Sequence, residues 1–196
     1  MSTSDLSTTD ATTIDENTTS MNDTGRPDAC ARHVFVSSTT TYGDLGGIAK
    51  ADKVCTSLAK EANLPGALYL AWISTPTNHA ITRYLQQESD PNKPCKYVLA
   101  DEDQTTLSLT WEDFRVGKHE APFNRDEYGV EVNDSPFAWT NTKPDGTAKS
   151  TNDCDSWTTD GSYGEVGLVG GKEKWSVLSV QSCGAPAHLY CIQMGD

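Results

Sequence analysis

Six cysteines constrain this chain of 196 residues more than any other feature does. They are scattered along the sequence and include no Cys-x-x-Cys pair, so the ligand spacing typical of a zinc site is absent. We therefore expect disulfides, although six cysteines can pair in many ways and their positions alone do not choose among them. Disulfides persist outside the cytosol, so the cysteines predict an extracellular or cell-surface protein.

The charge of the chain limits its partners. There are 28 acidic and 15 basic residues, which give a formal net charge of −13. Nucleic-acid binding depends on clustered Lys and Arg, so we expect no nucleic-acid partner. No apolar run is long enough to cross a bilayer, so we expect no transmembrane segment.

Residues 1–29 differ in composition from the rest of the chain. Ser, Thr and Asp make up 17 of these 29 residues, and no aromatic residue occurs among them. Such a segment cannot bury enough apolar surface to offset its ordering entropy, so we expect a flexible acidic tail. No signal-like segment follows Met1, and we expect that the export signal or anchor has been removed from this chain.

Residues 30–196 have the length of one domain. Hydrophobic periodicity predicts strands at 33–37, 68–74 and 189–193. It predicts one helix from Ile48 to before Pro65, with Val54, Cys55 and Leu58 on its apolar face, and a second helix from a cap at Thr77 or Asn78 to about Gln87, with Ile81, Tyr84 and Leu85 on one face. The segment from there to Cys183 is rich in Gly, Pro, Asn and Asp. Periodicity alone predicts a disulfide-bonded α+β domain.

Several short sequences occur along the chain in an order that resembles that of a known family. They are Leu45-Gly46-Gly47-Ile48-Ala49-Lys50-Ala51-Asp52, Leu64-Pro65-Gly66, Ala71-Trp72-Ile73-Ser74, Thr110-Trp111-Glu112-Asp113-Phe114, Trp139, Pro144-Asp145-Gly146, Cys154-Asp155-Ser156-Trp157, Gly170-Gly171, Ser182-Cys183 and Leu189-Tyr190-Cys191-Ile192. This order resembles the endostatin domain of collagens XV and XVIII, and more closely its bacterial relatives on secreted proteins and lipoproteins. The resemblance covers roughly residues 33 to 192.

The resemblance implies a C-type-lectin-like single domain, with two helices, short antiparallel strands and a long loop region. It implies that Cys55 pairs with Cys191 and Cys154 with Cys183, which leaves Cys30 and Cys95 to pair with each other. It also implies that Trp139, Trp157 and Trp175 fill the core under the loops, and that a tail such as 1–29 joins the domain to a lipid anchor.

The long loop region carries the metal site of calcium-dependent lectins. The two triplets that supply its oxygen ligands resemble Lys143-Pro144-Asp145 and Trp175-Ser176-Val177 here. A lysine replaces one ligand and the second triplet has lost both of its oxygen ligands, so we expect no calcium-dependent sugar binding at that place.

Other metal and heparin sites of the family are also not expected. The carboxylate and amide oxygens of Asp145, Asn152, Asp153 and Asp155, and the acidic residues 101–103, leave a different calcium site open, but a solvated acidic loop is the favoured interpretation. Endostatin holds zinc mainly through N-terminal histidines, where this chain offers only His33, and it binds heparin through arginines that this chain lacks. We therefore assign no metal, no cofactor and no heparin partner.

Catalysis is not expected either. The histidines at 33, 79, 119 and 188 are far apart, and no motif of a serine hydrolase, zinc protease or P-loop enzyme occurs. Ser182 or Cys183 could act with His188 as nucleophile and base. However, the resemblance places Cys183 in a disulfide, and a serine beside a structural bridge is ordinarily a polar surface residue.

Two functions remain. The first is a non-catalytic extracellular module that binds a protein or matrix component through its long-loop face. The alternative is a calcium-independent carbohydrate-binding domain that uses Asn141, Lys143, Asp145 and Asn152. Exposure of the late tryptophans separates the two, because buried tryptophans favour protein contacts and an exposed ring beside Asn and Asp favours a glycan.

Overall fold

The computed structural model describes residues 30–88 and 93–195, so the expected tail at 1–29 lies outside the described residues. The described part is a mixed α/β fold. Its strands are β1 (Ala31–Val36), β2 (Tyr69–Ala71), β3 (Lys96–Leu99), β4 (Thr106–Ser108), β5 (Phe137–Trp139), β6 (Tyr163–Leu168), β7 (Ser179–Ser182) and β8 (His188–Gln193). Its helices are α1 (Ile48–Glu61), α2 (Ala80–Gln87), α3 (Trp111–Arg115) and α4 (Cys154–Trp157).

One sheet joins all of these strands. Its order is β4-β3-β1-β8-β5-β6-β7, and β2 pairs with β8 beside this path. The expectation of antiparallel strands is wrong for two pairs, because β1 runs parallel to β3 and β5 runs parallel to β8. Parallel neighbours need a long crossover connection, and the chain between β1 and β3 supplies one that contains α1 and α2.

The central strand β8 is buried on both faces. Its side chains alternate, so Leu189 and Cys191 join one hydrophobic cluster and Tyr190 and Ile192 join the other. The first cluster lies under α1, and the second contains Tyr84 of α2 and most of the aromatic rings.

Helix α1 follows the prediction closely. It begins directly after Gly47, which has a φ of 89° that favours glycine, and it ends at Glu61, before Pro65. Its buried residues, Ile48, Ala51, Cys55 and Ala59, lie on one face. The prediction was wrong for Val54, which is exposed because it lies at the edge of that face.

Three disulfides join distant parts of the chain. Cys55 of α1 bonds to Cys191 of β8, Cys154 bonds to Cys183, and Cys30 bonds to Cys95. These are the same three pairs that the resemblance implies. The first bond holds α1 against the sheet, the second holds α4 against the end of β7, and the third joins the starts of β1 and β3.

Helix α2 begins later than predicted, and neither Thr77 nor Asn78 caps it. It starts after His79, which makes no side-chain cap. The first N–H groups are satisfied from elsewhere in the fold: Ala80 donates to Oγ of Ser74 at 2.9 Å, and Ile81 donates to the carbonyl of Gly146 at 3.0 Å. Tyr84 is buried as expected, but Leu85 is exposed.

The buried arginine Arg83 links α2 to α1 and β2. Its Nη1 lies 2.7 Å and 2.8 Å from the two carboxylate oxygens of Asp52, and its Nη2 donates to the carbonyls of Ala71 and Ile73. Burial raises the pKa of Asp52, and the charge of Arg83 works in the opposite direction. This ion pair therefore fixes how the two helices pack on the sheet.

The described part of the chain contains four helices. None of those within residues 30–88 and 93–195 combines the length and the apolar composition needed to cross a bilayer.

Candidate functional site

Lys143 and Asp145, two of the predicted ligand residues, lie on an exposed turn. The Gly146 N–H donates to the Lys143 carbonyl at 2.8 Å, and Oδ1 of Asp145 accepts from both the N–H and the hydroxyl of Thr147. These hydrogen bonds from Thr147, with a smaller effect of the Lys143 charge, lower the pKa of Asp145. The carboxylate is thus already engaged within its own turn.

Asn141, the third predicted ligand residue, is fully buried. Its Nδ2 donates to the carbonyls of Ser74 and Ser150, and its Oδ1 accepts from the Ser150 N–H at 3.0 Å. The side chain holds the loop against the end of β2 and has no group left for an external ligand. Both amide atoms of Asn141 therefore have partners within the fold.

Asn152, the fourth, is partly exposed beside a buried polar network. Its backbone joins the loop to β6, since the Glu165 N–H donates to its carbonyl at 2.9 Å. The neighbouring Glu165 is nearly buried and accepts from the Ser150 hydroxyl at 2.9 Å. The structure thus places Asn152 near the loop that Asn141 holds, and its side chain stays a predicted ligand.

Directly after Asn152, helix α4 is a left-handed turn. All four of its residues have a φ between 51° and 64°. Such conformations cost about 1–2 kcal/mol per non-glycine residue, so the turn depends on the contacts that hold it. Oδ1 of Asp153 accepts from the Ser156 N–H, Cys154 is in a disulfide, and Nε1 of Trp157 donates to the carbonyl of Ser74.

The late tryptophans are buried. Trp139, Trp157 and Trp175 are at most 1% exposed, as the resemblance implies. Their indole N–H groups donate to the backbone carbonyls of Thr41, Ser74 and Arg115, respectively. None of the three offers a ring face to a sugar.

The buried histidines contact groups of the fold, and Nε2 of His188 lies 3.1 Å from a carboxylate oxygen of Asp134. The side chains of His33, His119 and His188 are buried, and Nδ1 of His188 donates to the carbonyl of Ser37 at 2.7 Å. Cys183 is bonded to Cys154, so its sulfur is not a nucleophile. In the part of the chain that the structure describes, no three His, Cys, Asp or Glu side chains come close enough to hold a metal ion.

Residues 124–132 form a hairpin that the sequence did not reveal. We call it the 124–132 hairpin. Arg125 and Glu131 face each other across it, and its tip exposes Tyr128 by 58% and Val130 by 60%. Oδ1 of Asp126 accepts from the N–H groups of both exposed residues, at 2.9 and 2.8 Å. The backbone that carries these two side chains is therefore fixed from within.

The 124–132 hairpin is also fixed to the rest of the fold. The buried carboxylate of Glu127 accepts from the N–H and the hydroxyl of Ser38, just after β1. The Val36 N–H donates to the carbonyl of Arg125 at 2.8 Å. Gly129 has a φ of 78°, and a Cβ there would lie 2.9 Å from Cα of Asp101, so this backbone lies directly on the turn after β3. The hairpin backbone is therefore held in place by the rest of the fold, while Tyr128 and Val130 remain exposed at its tip.

That turn gives the hairpin acidic surroundings. Asp101, Glu102 and Asp103 follow one another beside Gly129, and the latter two are exposed. Arg125, the nearby cation of the hairpin, lies 3.5 Å from the carboxylate of Glu131. The resulting surface is an apolar tip bordered by negative charge.

Sequence reasoning missed this hairpin because its signal is short. The stretch Asp126-Glu127-Tyr128-Gly129-Val130 has an Asp that can accept from the backbone and a Gly for positive φ, which together favour a tight turn. The aromatic residue inside that turn was the available sign of an exposed contact.

Comparison with protein-family models gave no match for this chain, and neither did comparison with curated proteins.

Proposed function

We propose that this protein is a non-catalytic extracellular interaction module that binds a protein partner through the 124–132 hairpin of its long-loop region. The observation that carries the proposal is the exposure of Tyr128 and Val130 on a backbone fixed by Asp126 and Glu127. A rigid exposed aromatic residue contributes contact area without loss of backbone entropy on binding. Tyrosine is also enriched among the residues that dominate binding energies.

Binding to a protein is better supported than binding to a glycan. The carbohydrate hypothesis needs exposed aromatic rings and free amide groups. Trp139, Trp157 and Trp175 are buried, and Asn141 uses its amide within the fold. An apolar tip with a charged border has the composition of a protein interface, in which an apolar centre is surrounded by a polar rim.

The charge around the hairpin defines the partner further. Asp101, Glu102 and Asp103 lie beside the apolar tip, in a chain whose net charge is −13. A complementary partner carries an apolar pocket for Tyr128 with Lys or Arg at its rim. Such rim charges act mainly on the association rate, so we expect association to slow as salt concentration rises.

We also propose that the domain belongs to the endostatin-like branch of the C-type-lectin-like fold and works outside the cell or at its surface. The order of the short sequences supports the family, and the three disulfides support the compartment. A lipid anchor ahead of residues 1–29 remains part of this proposal.

The test measures binding of the full chain to a panel of purified secreted and matrix proteins, and to a glycan array with and without a chelator. We expect saturable binding to at least one protein. The double variant Tyr128→Ser/Val130→Ser should weaken that binding by about tenfold or more, as loss of a central contact does. Raising salt from about 50 to about 500 mM should lower the association rate more than it changes the dissociation rate.

The matched control is Tyr163→Ser. Tyr163 is exposed by 63% on β6, outside the hairpin, so its removal should leave binding unchanged. Equal losses in the control and in the hairpin variant would show that general surface hydrophobicity, and not the hairpin, carries the interaction. Saturable glycan binding that the hairpin variant retains would replace the proposed function by the carbohydrate one.

A further inference from the structure

A second site lies at the other end of β3, away from the 124–132 hairpin. It is a groove of about 340 Å³ between α2, α3 and the start of β3. That volume is at the lower end of the range for ligand pockets, about 300–1,000 Å³. Its apolar lining consists of Tyr84, Leu85, Pro94, Cys95, Tyr97 and Trp111.

Trp111 differs from the other tryptophans of the chain. The indole N–H groups of Trp72, Trp139, Trp157 and Trp175 all donate to protein oxygens. Among the described residues, the indole N–H of Trp111 has no hydrogen-bond acceptor, and this side chain is only partly buried. A tryptophan N–H in apolar surroundings ordinarily finds a partner, so this donor is available to a ligand.

Tyr97 offers a second donor in the same groove. It is 8% exposed, and within the described part of the chain its hydroxyl has no hydrogen-bond partner. The hydroxyls of Tyr69 and Tyr84, by contrast, donate to the carbonyls of Pro65 and Leu70. Burial raises the pKa of Tyr97, so the hydroxyl keeps its proton at neutral pH and remains a donor.

The charges at the groove balance one another. Arg32 is paired with Glu88 at 2.5 Å, and both side chains are largely buried. Glu112 at the rim is paired with Arg115 of the same helix. Lys93 lines the groove as well. The lining thus carries two basic residues and two acidic residues, and this balance favours an uncharged occupant.

We propose that this groove binds an uncharged, proline-rich segment of a partner protein in the polyproline II conformation. Such a segment has no internal hydrogen bonds, so its carbonyls are free to accept from Tyr97 and Trp111. Its rigid rings fit between aromatic side chains and lose little entropy on binding. The proposal uses none of the hairpin residues and does not depend on the function proposed for them.

Ring geometry argues against a sugar in the groove. Tyr84 and Phe114 both stack on Trp111, with ring centroids 5.5 and 5.7 Å away and interplanar angles of 23° and 19°. Phe114 also stacks on Tyr97 at 4.7 Å. A sugar needs an open ring face, whereas a polyproline II segment docks in a groove lined by several aromatic side chains.

The test titrates the full chain with a capped decaproline peptide and with a capped Gly-Ser peptide of equal length, by calorimetry and by tryptophan fluorescence. We expect saturable binding of decaproline alone. Tyr97→Phe should weaken it by about fivefold to tenfold, the effect of one lost hydrogen bond in apolar surroundings. Trp111→Phe should weaken it similarly. Tyr69→Phe removes a tyrosine hydroxyl outside the groove, in the other hydrophobic cluster, and should leave the binding unchanged.

Because the Tyr97 hydroxyl has no partner within the described fold, Tyr97→Phe should leave the urea midpoint unchanged, and a binding loss in that variant is then not a folding defect. Absence of saturation with decaproline would overturn the proposal. So would equal affinity of the wild-type chain and Tyr97→Phe, or tighter binding of the Gly-Ser peptide. Displacement of decaproline by a sugar oligomer at lower concentration would also overturn it.

Discussion

We expect His119 to make the fold sensitive to acid. It is 4% exposed, among the rings of Phe114, Phe123 and Trp175, and its Nε2 lies 3.1 Å from the Phe114 carbonyl. Burial lowers its pKa from 6.5 to about 4, although the hydrogen bond with the Phe114 carbonyl raises the pKa; the charge of Lys172 adds a smaller lowering. Between these two values the unfolded chain binds a proton that the folded chain does not bind.

The sign and size of the effect follow from that difference. The contribution of His119 to the stability of the folded state is complete above pH 6.5. It is lost as the pH falls towards 4, because the unfolded state then binds the proton more tightly. For a pKa of 6.5 unfolded and about 4 folded, the free energy of unfolding should fall by about 2 kcal/mol between pH 8 and pH 5 through this group alone.

The assay is urea unfolding followed by tryptophan fluorescence at pH 8, 6 and 5, for wild type and for His119→Gln. Glutamine does not titrate and can still donate to the Phe114 carbonyl, although it loses ring packing at every pH. His33, whose pKa burial also lowers, contributes equally to both chains, so their difference isolates His119. The same acid-induced loss in both chains would refute the reasoning.

Three further changes test the packing. Arg83→Met should cost about 3 kcal/mol in urea unfolding, because it removes the cation from the largely buried Asp52 carboxylate. Asp52→Asn added to it should recover part of that loss, because the amide is uncharged and its oxygen can still accept from the Ala71 N–H. No cost for the single variant would contradict this. Ser156→Gly should raise the free energy of unfolding by about 1 kcal/mol, because Ser156 has a φ of 61° that glycine adopts without strain. Ser156→Ala should leave the free energy of unfolding unchanged. Replacing Cys154 and Cys183 by Ser should cost about 3–4 kcal/mol and lower the near-UV circular dichroism in part; loss of the whole signal would show that the remaining core does not stand without this bond.

The sequence predicted the elements that carry a strong local pattern. Helix α1 has its apolar spacing, its glycine start and the proline after its end within one segment. Strand β8 is apolar because both of its faces are buried. In such places local preference and tertiary burial agree, so the pattern is sufficient.

Other elements depend on partners that are distant in sequence. The start of α2 is fixed by Ser74 and Gly146, and no local pattern shows that. Strands β5, β6 and β7 are short and lie in a loop-rich stretch, so pairing across the sheet defines them more than composition does.

The candidate site was harder to predict for the same reason. Asn141 has the residue type of a ligand, but its amide is used inside the fold. Tyr128 has the residue type of a core aromatic, but the turn at Asp126 exposes it. Residue type gives the chemistry available, and only the packing decides which groups remain free to contact a partner.

The two ends of strand β1 lie at two different surfaces of the molecule. Its six residues span about 20 Å, from the Cys30–Cys95 bond at one end to the contact between Val36 and Arg125 at the other. Strand β8 runs antiparallel to β1, so the chain also leaves the sheet near Arg32, where a Cβ on Gly195 would lie 3.5 Å from the guanidinium. Both ends of the described domain therefore lie at the groove end of β1, and the hairpin lies at the opposite end. A short attachment made directly at residue 30 or 195 would leave the hairpin on the side of the domain that is farthest from the support.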